Sequence, residues 1–522
     1  MKWILSIKMN FPVLFLMVQA CTSSRILIVF PTAYRSHTTL GDSIVRNLVH
    51  AGHEVTYIST FTKEKENDQL RLVNISSITR NKGEPLNLLE LVRNPRPSYF
   101  MQQVGSNFAR DALQHPATQE LLQNLDEHFD IVVAQWFYSG LLAPLAAVYD
   151  CPLIWYSAED VSWMNLQLVH GQTNPAYSVD LQAVKTASAP STVGEKAKRI
   201  WQQVYLSGWV YYMTHYVEMP IYREIYEFPL QLRERILPDY EPLVYNGSLL
   251  LVNSQPLLGQ LLPVPPNVQY VGGHHIDVAI KPLPRSLQEL LNKSKNGVIF
   301  FSLGSKINMK EFPDGLMRGL VEMLGQLEQT VLWNIGQQLD NLPRNVHIVD
   351  SASQHGILNH TNTIMMITHG EFLSYMEAMF YGVPVVGIPL LGDQFLTLDI
   401  AATRGRSIVV QFNEDLPLTL KEAIDEILAN YSYRSNAKQA SAIFQNQLIP
   451  LTQEILYWIE LVISTGGALH LRSPAVHLST VERLHIDVLM AGLMILWFLS
   501  KVVKVWRVHG QEVEDQNDKK IQ

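Results

Sequence analysis

The sequence predicts an α/β protein made of two doubly wound domains followed by one membrane-spanning helix. Three observations carry this. Short apolar runs alternate with helix-period segments in both halves of the chain. A breaker-rich stretch divides the halves. An uncharged apolar run lies close to the carboxyl end. The 522 residues, 47% of them hydrophobic, suffice for two or three cores.

In chain order, Lys2 and Lys8 precede the apolar run Phe11 to Val18 and a small-residue cleavage pattern at Val18-Gln19-Ala20, so residues 1–20 read as a signal peptide. The first domain is expected over 21–262. Arg25 to Phe30 is its first strand. After the loop Pro31 to Ser36 comes a helix with Leu40, Ile44, Leu48 and Val49 on one face, closed by Gly52. His53 to Ser59 is the second strand, and this βαβ opening lacks the GxGxxG of a dinucleotide site. His37 stands just beyond the first strand, where open α/β sheets place ligands. On position alone such a histidine is more often structural than catalytic. Asp130 to Ala134 runs into Gln135-Trp136-Phe137, and Leu153 to Tyr156 and Leu249 to Asn253 are further strands. Helices are expected within 81–123. The aromatic stretch 201–226 is expected to be core or pocket wall, with membrane-surface contact as the lesser alternative.

Residues 263–284 have the proline and glycine density of a linker. Its His274-His275 pair invites a metal reading, which is set aside because no cysteine, carboxylate or further histidine stands at ligand spacing. The second domain, 285–435, repeats the alternation: Gly297 to Ser302 turning at Gly304-Ser305, then Thr330 to Trp333, Val346 to Val349, Thr363 to Thr368 and Val383 to Ile388. Within it, His369 and Gly370 close a strand and a helix begins near Glu371, so free amides and the helix dipole face a potential diphosphate. Ser374 offers a hydroxyl, Glu377 an acceptor for ribose, and Asp393-Gln394 partners for sugar hydroxyls. A helix cap followed by a tight turn accounts for the same spacing.

Residues 436–484 form the segment ahead of the membrane. Val488 to Ser500 is uncharged and extends to a span over 485–505. Lys501, Lys504 and Arg507 follow, so the tail 506–522 is expected in the cytosol and the body in the lumen. The terminal Lys519-Lys520-Ile521-Gln522 resembles a dilysine endoplasmic-reticulum signal. Five sequons, at Asn74, Asn246, Asn292, Asn359 and Asn430, agree with a lumenal body. A net charge of −8 excludes a general nucleic-acid binder, and two cysteines make no disulfide framework.

Met365 to Phe395 resembles the signature THGG…EA…GVPVVGIPLFGDQ of the membrane-bound UDP-glycosyltransferases of animals, the insect members above all. Phe301 to Ser305, Ile357 to His360, Val271 to Gly273, His470 to Ala475, Ser36-His37 and Ala51 to Thr56 also match that family. The resemblance implies a GT-B architecture, with two facing Rossmann-like domains, the second holding a UDP-sugar and the first a small lipophilic acceptor. Within 436–484 it implies a bracing helix before the membrane-proximal part. It implies inverting sugar transfer, with glucose as the donor sugar by analogy to insect members. The UDP-sugar is a co-substrate; no cofactor and no metal are expected. His37 matches the family's base and Gln135 the position of the aspartate that orients it. Ser305, Ser351, Gln354, His369, Gly370, Ser374, Glu377, Asp393 and Gln394 match donor-binding positions. The expected setting is the endoplasmic-reticulum membrane, single-pass, with lumenal catalytic domains, and a homo-oligomer is compatible with it.

Four departures stand out. Gln135 can accept a hydrogen bond from an imidazole but cannot balance an imidazolium. Ser351 replaces the tryptophan that stacks on uracil, Glu371 replaces the second glycine of HGG, and Thr397 stands where asparagine is usual. They motivate a second reading, a diverged member of weak or no activity that binds lipophiles or partners.

Overall fold

The computed structural model describes residues 23–80, 100–174, 178, 192–276, 282–304, 312–335, 339–349, 354–478, 480–483 and 485–521. The expected signal peptide, Ser305 and Ser351 lie outside them. Two compact units divide the chain, Met1–Leu471 and Arg472–Gln522.

The first unit holds two parallel sheets. Among the described residues the first has seven strands: β1 (Arg25–Phe30), β2 (Glu54–Ser59), β3 (Leu70–Asn74), β4 (Ile131–Trp136), β5 (Leu153–Ser157), β6 (Leu249–Val252) and β7 (Val268–Tyr270), in the order β3-β2-β1-β4-β5-β6-β7. The second has six: β8 (Val298–Ser302), β9 (Thr330–Asn334), β10 (Val346–Ile348), β11 (Thr363–Thr368), β12 (Val385–Gly387) and β13 (Ser407–Val409), in the order β10-β9-β8-β11-β12-β13. Both orders step outward from a central strand and then reverse, so each sheet has one switch point, between β1 and β4 and between β8 and β11. Helices cover both faces, which is why β4, β5, β6 and β8 are buried along their whole length. This is the GT-B-like double Rossmann arrangement.

The helices that position the site are α1 (Arg35–His50), α2 (Phe100–Leu113), α3 (Pro116–Gln123), α4 (Val193–Tyr212), α5 (Met219–Leu232), α6 (Gln354–Asn359), α7 (Phe372–Tyr381), α8 (Gln394–Thr403), α9 (Tyr431–Gln445) and α10 (Leu451–Ser464). α1 buries Leu40, Ile44 and Leu48 against β1 and β2, as its apolar stripe requires.

Three features differ from the sequence reading. β7 lies inside the stretch read as linker: Val268, Gln269 and Tyr270 pair with β6, and the prolines before it stand outside the ladder. The aromatic stretch 201–226 divides in two. Met213, Tyr222, Ile225 and Tyr226 are buried, and Val210 and Met213 line a pocket. Within α4 only Leu206 is buried, while Trp201, Tyr205, Tyr211 and Tyr212 are exposed. Trp201, Tyr205 and Tyr212 share one face at helical spacing, yet that face is open to solvent. The chain after α9 also changes partner. Ala437, Ala440 and Phe444 of α9 pack with α7, whereas Ile455, Ile459 and Val462 of α10 join the core of β1 and α1. His53 adds a bond to α10, its Nε2 lying 3.2 Å from Glu460 Oε1 while its Nδ1 accepts from the Ser24 amide. The two passages between the sheets run side by side, since a Cβ on Gly273 would lie 2.8 Å from Phe444 and 2.9 Å from Leu451.

In the second unit α11 (Ile486–Ile521) carries a 22-residue segment, Ile486–Arg507, of mean hydropathy 2.0. At 1.5 Å per residue it reaches about 33 Å, enough for the roughly 30 Å apolar layer of a bilayer. It gives the chain a single-pass anchor over the span that the sequence predicts.

Candidate active site

The first cleft wall forms at the β1/β4 switch point. Tyr34, extended at φ −118°, precedes α1, whose first ladder bond runs from Thr38 N–H to Tyr34 O at 3.1 Å. His37 thus sits in the opening turn, 8% exposed, with the rings of Tyr34 and Phe137 edge-on at 5.5 and 5.3 Å. Gln135 follows Ala134, which pairs with Val29, so it comes up beside the end of β1. Its Oε1 accepts from the Thr32 hydroxyl at 3.0 Å, and its Nε2 donates to His37 Nδ1 in a short hydrogen bond.

This corrects the expectation that Gln135 accepts from the imidazole. An amide nitrogen has no lone pair to offer, so Nδ1 is the acceptor and the proton of the neutral ring sits on Nε2. Thr32, which sequence reading passed over, holds the other end of the amide, and its hydroxyl, donor and acceptor alike, can serve either orientation. Turning the amide over reverses the tautomer: Nε2 donates to the Thr32 hydroxyl, Oε1 accepts Nδ1–H, and the His37 Nε2 lone pair becomes free to take a proton.

The second wall forms at the β8/β11 switch point. Gly370 has φ +87°, and a Cβ there would lie 2.4 Å from Leu398, so glycine is required twice over. A Cβ on Gly304, in the loop after β8, would stand 2.9 Å from the His369 ring, which shows how closely that loop presses on it. The first ladder bond of α7 is Tyr375 N–H to Glu371 O at 3.1 Å, leaving the amides of the opening turn outside the helix's own pattern. Glu371 Oε2 lies 3.3 Å from His369 Nε2. The carboxylate therefore stands at the amino end of the helix and engages the imidazole.

Ser374 and Gln354 meet at 3.5 Å, and Gln354 Nε2 donates to Glu377 Oε2 at 2.6 Å. Glu377 Oε1 lies 3.3 Å from His275 Nε2 and 3.1 Å from His355 Nε2. Burial alone would raise the Glu377 carboxyl, but the bonds from His275 and His355 outweigh it and hold it at about 2. His274 is fully used in the fold: its Nε2 meets the Tyr156 hydroxyl at 2.8 Å and its Nδ1 the Ser43 Oγ at 3.1 Å, and burial pushes it well below the ordinary imidazole range. Gln394 differs from expectation, because its Oε1 accepts the amides of Leu390 and Leu391 at 2.8 and 2.9 Å and so fixes the turn before α8. Its amide nitrogen remains for a sugar hydroxyl. Asp393 caps α8 from the neighbouring position without a side-chain cap bond.

The structure brings together His37 with Gln135 on one wall, and His369, Gly370, Ser374, Gln354 and Glu377 on the other. The walls sense each other: burial pushes the Tyr34 phenol up to about 12, and the charge of Glu371 adds to the push. Beside the His37 wall lies a pocket lined by Gln102, Trp136, Tyr138, Met164, Val210 and Met213. At its edge Glu218, in a π-helical turn, accepts from Ser106, Ser139 and Tyr240 at 2.6, 2.6 and 2.8 Å. Sequence reading missed His355, His275 and Glu218 as parts of polar clusters. Only the His274-His275 pair left a signal.

Two doubly wound sheets with apposed switch points, a histidine at one and a helix amino end at the other, define a nucleotide-sugar transferase of the GT-B kind. The family described as "UDP-glucoronosyl and UDP-glucosyl transferase" matches residues 25–515, and the chain belongs to it. It is accordingly a hexosyltransferase that draws on a UDP-sugar. Among curated relatives, UDP-glucosyltransferase 2 of Dactylopius coccus is 26% identical over 94% of this chain and 93% of its own. The ecdysteroid UDP-glucosyltransferase of Spodoptera littoralis nuclear polyhedrosis virus is 25% identical, over 92% and 96%. UDP-glucuronosyltransferase 2B15 of Homo sapiens is 27% identical over 89% of each. Of solved structures, the calicheamicin glycosyltransferase CalG4 aligns with a TM-score of 0.55 at 19% identity, covering 84% of this chain and 99% of that one. An indoxyl-glucosylating UDP-glucosyltransferase from Polygonum tinctorium gives 0.55 at 14%, covering 85% and 99%. These structural likenesses carry the fold.

Proposed function

We propose that this enzyme transfers glucose, with inversion, from UDP-glucose to a hydroxyl of a small lipophilic acceptor, with His37 as the base. The single observation that carries the reading is the buried Thr32–Gln135–His37 chain at one switch point, opposite His369 and the open amides of α7 at the other. In the reaction the Gln135 amide turns so that Oε1 accepts Nδ1–H; the acceptor O–H then gives its proton to the freed His37 Nε2, its oxygen bonds to the anomeric carbon, and the bond from that carbon to UDP breaks. The amides of α7, His369 and Ser374 stabilise the charge on the leaving diphosphate. Glu377 and Gln354 face the ribose, Asp393 and Gln394 the sugar, and the pocket beside Trp136 and Tyr138 takes the acceptor's apolar body. Ser305 and Ser351 belong to the same donor set by their place in the family pattern. The body is lumenal in the endoplasmic reticulum and α11 is its type I anchor, with the basic residues after the span in the cytosol.

Two features favour a slow enzyme: Gln135 holds the ring proton on Nε2, and Glu371 holds His369. UDP release with UDP-glucose and a panel of phenols and alcohols tests the reading. Turnover above a His37→Ala control is expected, and no difference from that control overturns it.

A further inference from the structure

We propose that His275, His355 and Glu377 form a binding site for one divalent transition cation of the zinc type. The ligand atoms of the three lie within 4.8 Å of one another. Two edges of that triangle are His275 Nε2 to Glu377 Oε1 at 3.3 Å and His355 Nε2 to the same oxygen at 3.1 Å. In a tetrahedral zinc site with bonds of about 2.0–2.1 Å the ligand atoms stand roughly 3.3–3.4 Å apart, so the His275 edge already has that length and the His355 edge is about 0.2 Å short of it. Two histidines and one glutamate make a known zinc set that leaves the fourth position open.

The chemistry of each group fits. Glu377 is ionised, and its other oxygen is held by Gln354 at 2.6 Å, so Oε1 is left to act as a single ligand. Without an ion, Glu377 Oε1 holds the ring proton on His275 Nε2; His275 Nδ1 makes no hydrogen bond among the described residues, so that proton can pass to Nδ1 when an ion takes Nε2. The His275 side chain is fully buried and that of Glu377 7% exposed, while that of His355 is 20% exposed. Two ligands are therefore fixed and the third is partly open to solvent, from which an ion would enter and a water would fill the open position. The neighbouring His274 is excluded, since Tyr156 and Ser43 take both its nitrogens.

The cation is not a cofactor here. It takes the carboxylate oxygen that the proposed function assigns to ribose, so cation and UDP compete, and this second part rests on that assignment. The test uses the full chain in detergent, with Zn2+ alone titrated against a chromophoric chelator and Co2+ followed by its visible absorption. One Zn2+ per chain is expected, with affinity at least about 100-fold lower in His355→Gln, and a tetrahedral Co2+ spectrum that the variant loses. His355→Asn serves if the glutamine variant does not fold. No Zn2+ binding, or equal binding by wild type and variant, overturns the site, since the chain has 17 histidines able to give scattered uptake. Saturating UDP is expected to weaken Zn2+ binding at least tenfold. Variant-sensitive Zn2+ binding that UDP leaves unchanged keeps the site and removes ribose from Glu377, whereas UDP binding without Zn2+ binding removes the site alone.

Discussion

His37 and His369 occupy corresponding places in the two halves, and their partners are exchanged relative to what each site needs. Each follows a strand that borders a switch point, and each stands at or just before the first turn of a helix. The wall to which the proposed function gives the base, where a carboxylate would fix Nδ1–H and balance an imidazolium, has the neutral Gln135, and that amide donates. The wall to which it gives the diphosphate, where negative charge is unwelcome, has Glu371 at 3.3 Å from its histidine. The same residue types in the opposite arrangement would serve both walls, which shows that a site can keep its geometry while its charges oppose its chemistry.

The sharpest way to break this comparison is to remove the base. His37→Ala is expected to lower kcat by about 10²–10⁴-fold with UDP affinity unchanged; equal loss from both would make His37 a structural residue. Restoring the acid comes next. In hydrolytic triads an amide in place of the orienting carboxylate costs about 10⁴ through the wrong tautomer, so Gln135→Asp is expected to raise kcat by about 10–10³-fold, read in single-turnover assays. A well-folded variant with unchanged rate would mean that another group orients His37.

On the other wall, Glu371→Gly removes a charge worth about 1–2 kcal/mol near a helix amino end, so the Kd for UDP should fall roughly 5–30-fold by calorimetry. The gain should shrink as salt rises, because the Glu371 side chain is 26% exposed. The smallest effect belongs to Thr32→Val. Without the hydroxyl one end of the buried Gln135 amide is left unpaired in either orientation, and kcat is expected to fall by about 2–5-fold. An unchanged or higher kcat would mean that Thr32 does not hold the amide.

Much of the fold was legible in the sequence because buried parallel strands are short apolar runs and amphipathic helices repeat at 3.6 residues; β1, α1, β4, β5, β8 and β11 follow from that alone. β7 was not, since three residues among prolines carry no periodicity. α4 misled because composition does not say which way an aromatic ring faces. At the site, residue types and places were legible at His37, Gln135, His369, Gly370 and Glu377, but their hydrogen bonds were not. The Gln135 amide is held from behind by Thr32, 103 residues away. The company of Glu377 comes from His275, 102 residues away, and from His355, which sequence spacing cannot relate to it.

Gly273 lies where the two passages between the halves touch, one leading through His274 and His275 and the other from Phe444 to Leu451. The halves are therefore joined by two segments packed against each other, and cutting either alone leaves the halves tethered by the other. A side chain at Gly273, where φ is +99° and Phe444 and Leu451 close in, would push the two segments apart without touching a residue of either wall.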